Sequence, residues 1–240
     1  MSSRRVAAIY DIHGNLPALE AVLEEIQAAG VDHVVVGGDV LPGPMPRECL
    51  AVLEQVNIPA SFIQGNGDRA VVAQRSGSES VTIPEQYRGM MRWVAGELDD
   101  KLAAWIATWP MTTTVELDFL GKVFFCHATP RSDTEMFSAE TSEEKLLPIF
   151  EGVSESIVVC GHTHKQFDRM IGKTRVINAG SVGMPFGATG AYWLLLDTDI
   201  ELRRTDYDLA RAAERIALTD YPEAQEFAQN FVLKKTDLAD

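Results

Sequence analysis

Short apolar runs that break off into glycines and carboxylates recur through the first third of the chain. Arg5 to Tyr10 (Arg-Val-Ala-Ala-Ile-Tyr) reads as a buried strand ending in the loop Asp11-Ile12-His13-Gly14-Asn15. Leu16, Leu19, Val22, Leu23 and Ile26 then recur at helical spacing, with Gly30 as the closing residue. The pattern repeats. His33-Val34-Val35-Val36 runs out into Gly37-Gly38-Asp39, Pro46 starts a helix that reaches Gln55, and 59–63 forms a third strand before Gly65-Asn66-Gly67-Asp68. Strand, polar loop and helix alternating at this spacing predict βαβ units and a mostly parallel sheet. Ligands of such sheets gather beyond the carboxyl ends of the strands, where Asp11, Asp39 and Asn66 fall.

Residues 69–110 change character. Ser76-Gly77-Ser78-Glu79-Ser80 reads as an exposed loop, and 86–109 is helical in pattern. Its apolar stripe includes Met90, Met91, Val94, Leu98 and Ile106 and predicts a core-facing or lid-like helical pair rather than a cofactor site. The segments 112–117 and 122–126 flank a short turn, a hairpin whose second arm delivers His127. A short helix over 143–150 precedes the β-branched strand Ile157-Val158-Val159-Cys160, which ends in Gly161-His162-Thr163-His164. Hairpins follow over 168–177 and 192–205, separated by a glycine-rich stretch, 178–183, that packs beside the site. The amphipathic stretch 207–230 predicts two helices. With no internal repeat or linker in view, one domain over 1–240 with a helical tail from about 207 is expected.

Composition narrows the class. An apolar fraction of 46% with 23% charged residues is ordinary for a globular protein, and no apolar run nears the roughly 18 residues of a membrane span. The run after Arg4 and Arg5 stops at Asp11, too short for a signal peptide. Three cysteines (Cys49, Cys126, Cys160) form no even framework, which points to a reducing cytoplasm. The formal net charge of −14 repels long duplex nucleic acid and anionic membranes. It leaves a small phosphate substrate open, because exposed charges are screened beyond roughly 8 Å whereas a metal acts at contact.

The chemistry lies in the histidines, of which there are five. His162 and His164 are one residue apart and would point to opposite sides of an extended segment, so a curved loop is needed to aim both at one locus. That arrangement suits two neighbouring metals better than a single chelate. His13 and His127 also sit where apolar runs end; only His33, at the start of a strand, is left over as structural. Asp11, His13, Asp39, Asn66, His127, His162 and His164 offer carboxylate, imidazole and amide donors, suited to manganese, iron, zinc, nickel or cobalt. They do not suit an all-oxygen calcium site, and they exceed what one tetrahedral ion uses.

These motifs, D-x-H, G-D, G-N-x-D, H and G-H-x-H in this order, resemble the calcineurin-like metallophosphoesterase family, in its small bacterial and archaeal phosphodiesterase branch. The resemblance runs from about Val6 to Tyr207 and implies an α/β, four-layer sandwich of two β-sheets flanked by helices. It also implies a two-metal centre, with Asp11, His13 and His164 on one ion, Asn66, His127 and His162 on the other, and Asp39 bridging. Asp39 and Asn66 carry over as catalytic residues. A hydroxide shared by the ions would attack phosphorus, and the ions would clamp the phosphoryl oxygens at a separation of roughly 3.5–4 Å. A phosphodiesterase is the expected activity; the alternatives are a phosphomonoesterase and a non-catalytic scaffold on the same fold.

Two departures from the family pattern matter. Many relatives carry a proton-donating histidine where this chain has Gly67, so Gly67→His is expected to restore a donor if the loop accepts a side chain. The second motif continues as Val40-Leu41-Pro42-Gly43, unlike the phosphoprotein phosphatases. Arg131 is a candidate for a substrate phosphate and Arg69 shares that ambiguity, whereas Cys126 and Cys160 read as small buried strand residues. Asp68 is a candidate for orienting a ligand or the loop beside it.

Overall fold

Side chains that alternate in direction along a strand can serve two cores at once, and the first strand does so. In β1 (Val6–Ile9) all four residues are buried, Val6 and Ala8 in one cluster and Ala7 and Ile9 in another. The protein's structure is a computed structural model that describes residues 4–78 and 85–234. After β1 come α1 (Leu16–Ala28), β2 (His33–Val36), α2 (Pro46–Gln55) and β3 (Ala60–Phe62). β1 and β2 pair in parallel, Val6 opposite His33 through Ile9 opposite Val36, and β2 and β3 do likewise. The expected βαβ units are present.

Three helices follow: α3 (Asn66–Arg75), α4 (Glu85–Glu97) and α5 (Asp100–Ala107). The last two are the expected pair, and Met91, Val94, Leu98 and Ile106 face the core. Of the loop expected over 76–80, Ser76 to Ser78 are exposed; Glu79 and Ser80 lie outside the described residues. Then come β4 (Thr112–Leu117), β5 (Gly121–Cys126), α6 (Glu143–Phe150), β6 (Ile157–Cys160), β7 (Phe167–Ile171) and β8 (Thr174–Asn178). The chain continues through β9 (Ala191–Leu196), β10 (Ile200–Thr205), α7 (Leu209–Ala217), α8 (Ala224–Phe227) and a π-helical segment, Ala228–Leu233. Of the tail expected to reach 240, residues 235–240 lie outside the described residues.

The strands form two five-stranded sheets, ordered β10-β9-β1-β2-β3 and β4-β5-β6-β8-β7. Both are mixed, which corrects the mostly parallel expectation. The central β5, β6 and β8 are parallel, but β4 and β7 join antiparallel as hairpin arms, as β9 and β10 do in the first sheet. Short turns join β4 to β5, β7 to β8 and β9 to β10, and a two-strand return can only be antiparallel; β9 also runs antiparallel to β1.

The sheets pack face to face. Val6, Ala8, Tyr10 and Val35 of the first meet Val123, Phe125, Val159 and Ile177 of the second. On the outer face of the first sheet, Ala7, Ile9 and Val34 pack on Leu19, Val22 and Ile26 of α1. On the outer face of the second, Val158 and Val176 pack on Leu146 and Phe150 of α6. The result is four layers, helix, sheet, sheet and helix. Among the described residues no helix is long and apolar enough to cross a membrane, and Cys49, Cys126 and Cys160 are buried and unpaired.

Candidate metal centre

Every donor singled out in the sequence stands just past the carboxyl end of a strand. Asp11 and His13 follow β1, Asp39 follows β2, Asn66 follows β3, His127 follows β5, and His162 and His164 follow β6. The turns that swing these side chains inward are tight. Five non-glycine residues have positive φ among those described, namely Asp11 (54°), His13 (47°), Asp39 (50°), His162 (66°) and His164 (58°). All five are candidate ligands. The left-handed conformation at both ends of His162-Thr163-His164 is the curved loop that the spacing of the two rings demanded.

Two groups of donors result: Asp11, His13 and His164 in one, Asp39, His127 and His162 in the other, with the ligand atoms of each within 4.8 Å of one another. Each carboxylate spends one oxygen on a backbone N–H and aims the other inward. Asp11 Oδ2 accepts from the His162 N–H (2.8 Å), while Oδ1 is buried without a hydrogen-bond partner, 3.4 Å from His164 Nε2 and 3.9 Å from His13 Nε2. Asp39 Oδ1 accepts from the Gly67 N–H (2.7 Å), and Oδ2 lies 3.6 Å from His127 Nε2 and 3.7 Å from His13 Nε2. Asp39 thus faces both groups. The Asn66 amide joins the second, 3.1 Å from His127 Nε2 and 3.0 Å from His162 Nδ1.

The rings are pinned from behind. Nδ1 of His13 faces the Pro42 carbonyl (3.1 Å), that of His127 the Gly37 carbonyl (3.0 Å) and that of His164 the Met184 carbonyl (2.8 Å). A carbonyl accepts only, so each Nδ1 carries a proton and Nε2 is the ring atom aimed inward. His13 Nε2 and His164 Nε2 are then 3.2 Å apart, and Phe186 stacks on the His164 ring at 5.1 Å. Two lone pairs cannot face each other at that distance, so a cation must lie between them, either a shared proton or a metal. The donor set fits a divalent transition metal.

The electrostatics agree. Burial opposes charge on His127, but Asp39 and Asp11 hold its pKa up to about 10. Burial likewise opposes charge on Asp39 and Asp11, yet the neighbouring histidines hold both carboxylates below their usual range. His13 and His162 are pushed down, first by burial and then by the adjacent imidazoles. Buried carboxylates and imidazoles that shift one another in this way would couple the loading of a metal to the release of protons.

Supporting contacts extend beyond the donors. The Asn178 side-chain amide donates to the Gly161 carbonyl (2.6 Å) and Thr163 Oγ1 (3.0 Å), holding the loop of His162 and His164. Ser181 Oγ donates to the Asp11 carbonyl (2.7 Å), and Asn15 donates to the Gly183 carbonyl (2.9 Å). Sequence reasoning placed 178–183 beside the site but could not assign these roles, which belong to contacts between distant segments.

Asp68 has the supporting role expected of it. It accepts from the Leu41 N–H (2.9 Å) and the Gly65 N–H (3.1 Å), tying the Asp39 loop to the start of α3, and burial, then the charge of Asp39, raises its pKa to about 8. Gly67 departs from expectation. It needs no left-handed backbone, but a Cβ there would meet the Leu41 carbonyl oxygen at 2.5 Å and Pro42 Cδ at 2.7 Å. The loop does not accept a side chain, so the expected Gly67→His rescue is withdrawn.

Of the remaining candidates, His33 stands at the far end of β2, with Nε2 2.9 Å from Ser61 Oγ, outside the cluster. Arg131 is exposed and paired in fork geometry with Glu135, and Arg69 pairs with Asp133 through two bonds of 2.7 and 3.0 Å. Neither guanidinium reaches into the donor groups as a free charge.

Comparison with known proteins follows the same lines. The family model described as the calcineurin-like phosphoesterase superfamily domain matches residues 5–201. An uncharacterized protein of Methanocaldococcus jannaschii is 28% identical over 93% of this chain and 96% of its own length. The phosphodiesterase YfcE of Escherichia coli is 28% identical over 79% of this chain and 85% of its own. Among solved structures, a metallophosphoesterase from Sphaerobacter thermophilus aligns with a TM-score of 0.75 at 22% identity, covering 95% of this chain and 98% of that one.

Proposed function

The chain belongs to the calcineurin-like phosphoesterase superfamily, and on that footing we propose that it is a binuclear metal-dependent phosphodiesterase acting on small phosphate esters. The observation that carries the reading is the facing pair of His13 Nε2 and His164 Nε2 at 3.2 Å beside the unpartnered Asp11 Oδ1. Asp11, His13 and His164 would hold one ion; Asn66, His127 and His162 would hold the second, with Asp39 shared. Bound there, manganese, iron, zinc, nickel or cobalt would supply Lewis-acid charge for the phosphoryl oxygens and a water acidified for attack.

The protein's own part is preorganisation. The carbonyls of Gly37, Pro42 and Met184 fix three tautomers, and the backbone N–H groups of Gly67 and His162 fix the two carboxylates. Donors held this way need no rearrangement when charge develops. The Asn66 amide, between His127 and His162, is placed to meet a phosphoryl oxygen as well as an ion. Asp68 does not stand in for a histidine at position 67, because its raised carboxyl is turned onto the Leu41 and Gly65 amides.

The diester preference draws support from the phosphodiesterase relative. The net charge of −14 favours a small ester over long duplex nucleic acid, which would bring many phosphates against an acidic surface. The test is to load the protein with each of the five metals singly and measure kcat/KM on bis(p-nitrophenyl) phosphate and p-nitrophenyl phosphate. Metal-dependent hydrolysis with the diester ahead is expected. A monoester preference would assign a phosphomonoesterase instead, and no turnover with any loaded metal would leave a non-catalytic scaffold.

A further inference from the structure

Between the residues after β5 and the start of β4 lies a cavity of about 240 Å³. His127 belongs both to its wall and to the second donor group. Asp133 makes a second link, lining the cavity while its carbonyl oxygen lies 3.1 Å from the Asn66 amide. The cavity therefore sits one residue's width from where a phosphoryl group would be held. Its volume is below the roughly 300–1,000 Å³ of pockets that take drug-sized ligands, which limits the occupant to a small group.

The lining decides what kind of group. Met111 and Pro130 give apolar surface, and Thr112, Thr129 and Ser132 bring hydroxyls. Positive charge is present but already matched. Arg131 forks onto Glu135, and Thr129 Oγ1 gives that carboxylate a further hydrogen bond of 2.8 Å. Asp133, which lines the cavity, is matched in turn by Arg69 outside it, which donates to both of its oxygens. A guanidinium engaged bidentately has spent its directed donors, and an incoming anion would have to expel the carboxylate first.

We propose that this cavity receives the retained alcohol substituent of the diester, a neutral hydroxylated group of glycerol or pentose size rather than a second phosphate. The inference rests on the phosphodiesterase reading above. It also moves Arg131 from a phosphate-binding role to the rim of a subsite for neutral groups.

The test uses the metal-loaded full chain and three diesters that share a p-nitrophenolate leaving group. Their second substituents are methyl, glyceryl and carboxyethyl. One or two new hydrogen bonds in the cavity should favour glyceryl over methyl by about tenfold in kcat/KM, expressed mainly in KM. Carboxyethyl, of similar size but charged, should fall below glyceryl. Met111→Trp, which fills the cavity from a partly exposed position, should bring glyceryl and methyl to within about threefold of each other. Thr112→Val is the gentler variant and should cost glyceryl alone about threefold. Equal rates for glyceryl and methyl, a preference for carboxyethyl, or variants that slow all three diesters alike would each overturn the subsite. Hydrolysis of none of the three would sink the phosphodiesterase reading itself, and the subsite with it.

Discussion

Gly67→Ala should disable metal binding although it alters no ligand. The new Cβ would lie 2.5 Å from the Leu41 carbonyl oxygen and 2.7 Å from Pro42 Cδ, where ordinary contact begins at 3.4 Å. The obstacle is backbone rather than the end of a flexible side chain, so the first turn of α3 and the 39–42 loop must part. They are joined on both sides of the clash, by Gly67 N–H to Asp39 Oδ1 at 2.7 Å and Leu41 N–H to Asp68 Oδ1 at 2.9 Å. Relief breaks at least one of these. Losing a hydrogen bond to a carboxylate costs about 1.5–3 kcal/mol, or roughly 10- to 150-fold in a binding constant. Because the bond orients Asp39, which faces both donor groups, the loss should appear in both metal affinities. Calorimetric metal titration, with circular dichroism as the control for folding, reads the effect. Gly67→His meets the same obstacle and should lose metal rather than gain a proton donor. An alanine variant that folds and binds both ions within twofold of wild type would refute the reasoning.

Three further outcomes follow. Asp39→Asn should weaken both metal sites while Asn66→Ala weakens mainly one, and elemental analysis of the wild type should find close to two ions per chain; one ion at saturation would contradict the shared role of Asp39. With no donor at position 67, aryl esters should outrun simple alkyl esters beyond their intrinsic difference by roughly the 10²–10⁴-fold that a general acid contributes, and equal treatment of the two would mean that another group supplies the proton. Because Asp39 and Asp11 hold the His127 pKa up to about 10 against burial, the metal-free protein carries that proton at pH 7 and loading must release it. Affinity should therefore fall as pH is lowered, and titration in two buffers of different ionisation heat should show proton release; none at pH 7 would remove that account.

The donors were legible because each ends an apolar run, and a strand that stops at the edge of a sheet presents whatever residue comes next. His162 and His164 even carried their own conformational demand, met by φ values of 66° and 58°. Helix α3 was missed for a local reason. Its first turn, Asn66-Gly67-Asp68-Arg69, is polar and opens with a poor helix former, so it reads as the loop it caps. The antiparallel margins of the sheets were hidden because strand order depends on which hairpin returns to which edge. The pairing of Arg131 with Glu135 and Arg69 with Asp133, and with it the neutral character of the cavity, lay in contacts that spacing alone does not encode. Tyr10 is a similar case. It read as the end of a strand, but its ring packs where a side chain on Gly161 would stand, and its hydroxyl donates to the Val159 carbonyl of the opposite sheet (3.2 Å).

The five left-handed ligands set a trade between chemistry and durability. Each holds a backbone conformation that costs an L-residue about 1–2 kcal/mol relative to the right-handed one, and that glycine adopts without the penalty. Mutation to glycine at Asp11, His13, Asp39, His162 or His164 would remove a donor while relaxing the main chain, and at Asp11 or Asp39 it would also leave the His127 imidazolium short of a buried partner. A lineage released from the need to hold metal would recover backbone strain at the very positions that supply the candidate donors. The architecture can outlive the donors, because none of the five belongs to the strands that build the two sheets.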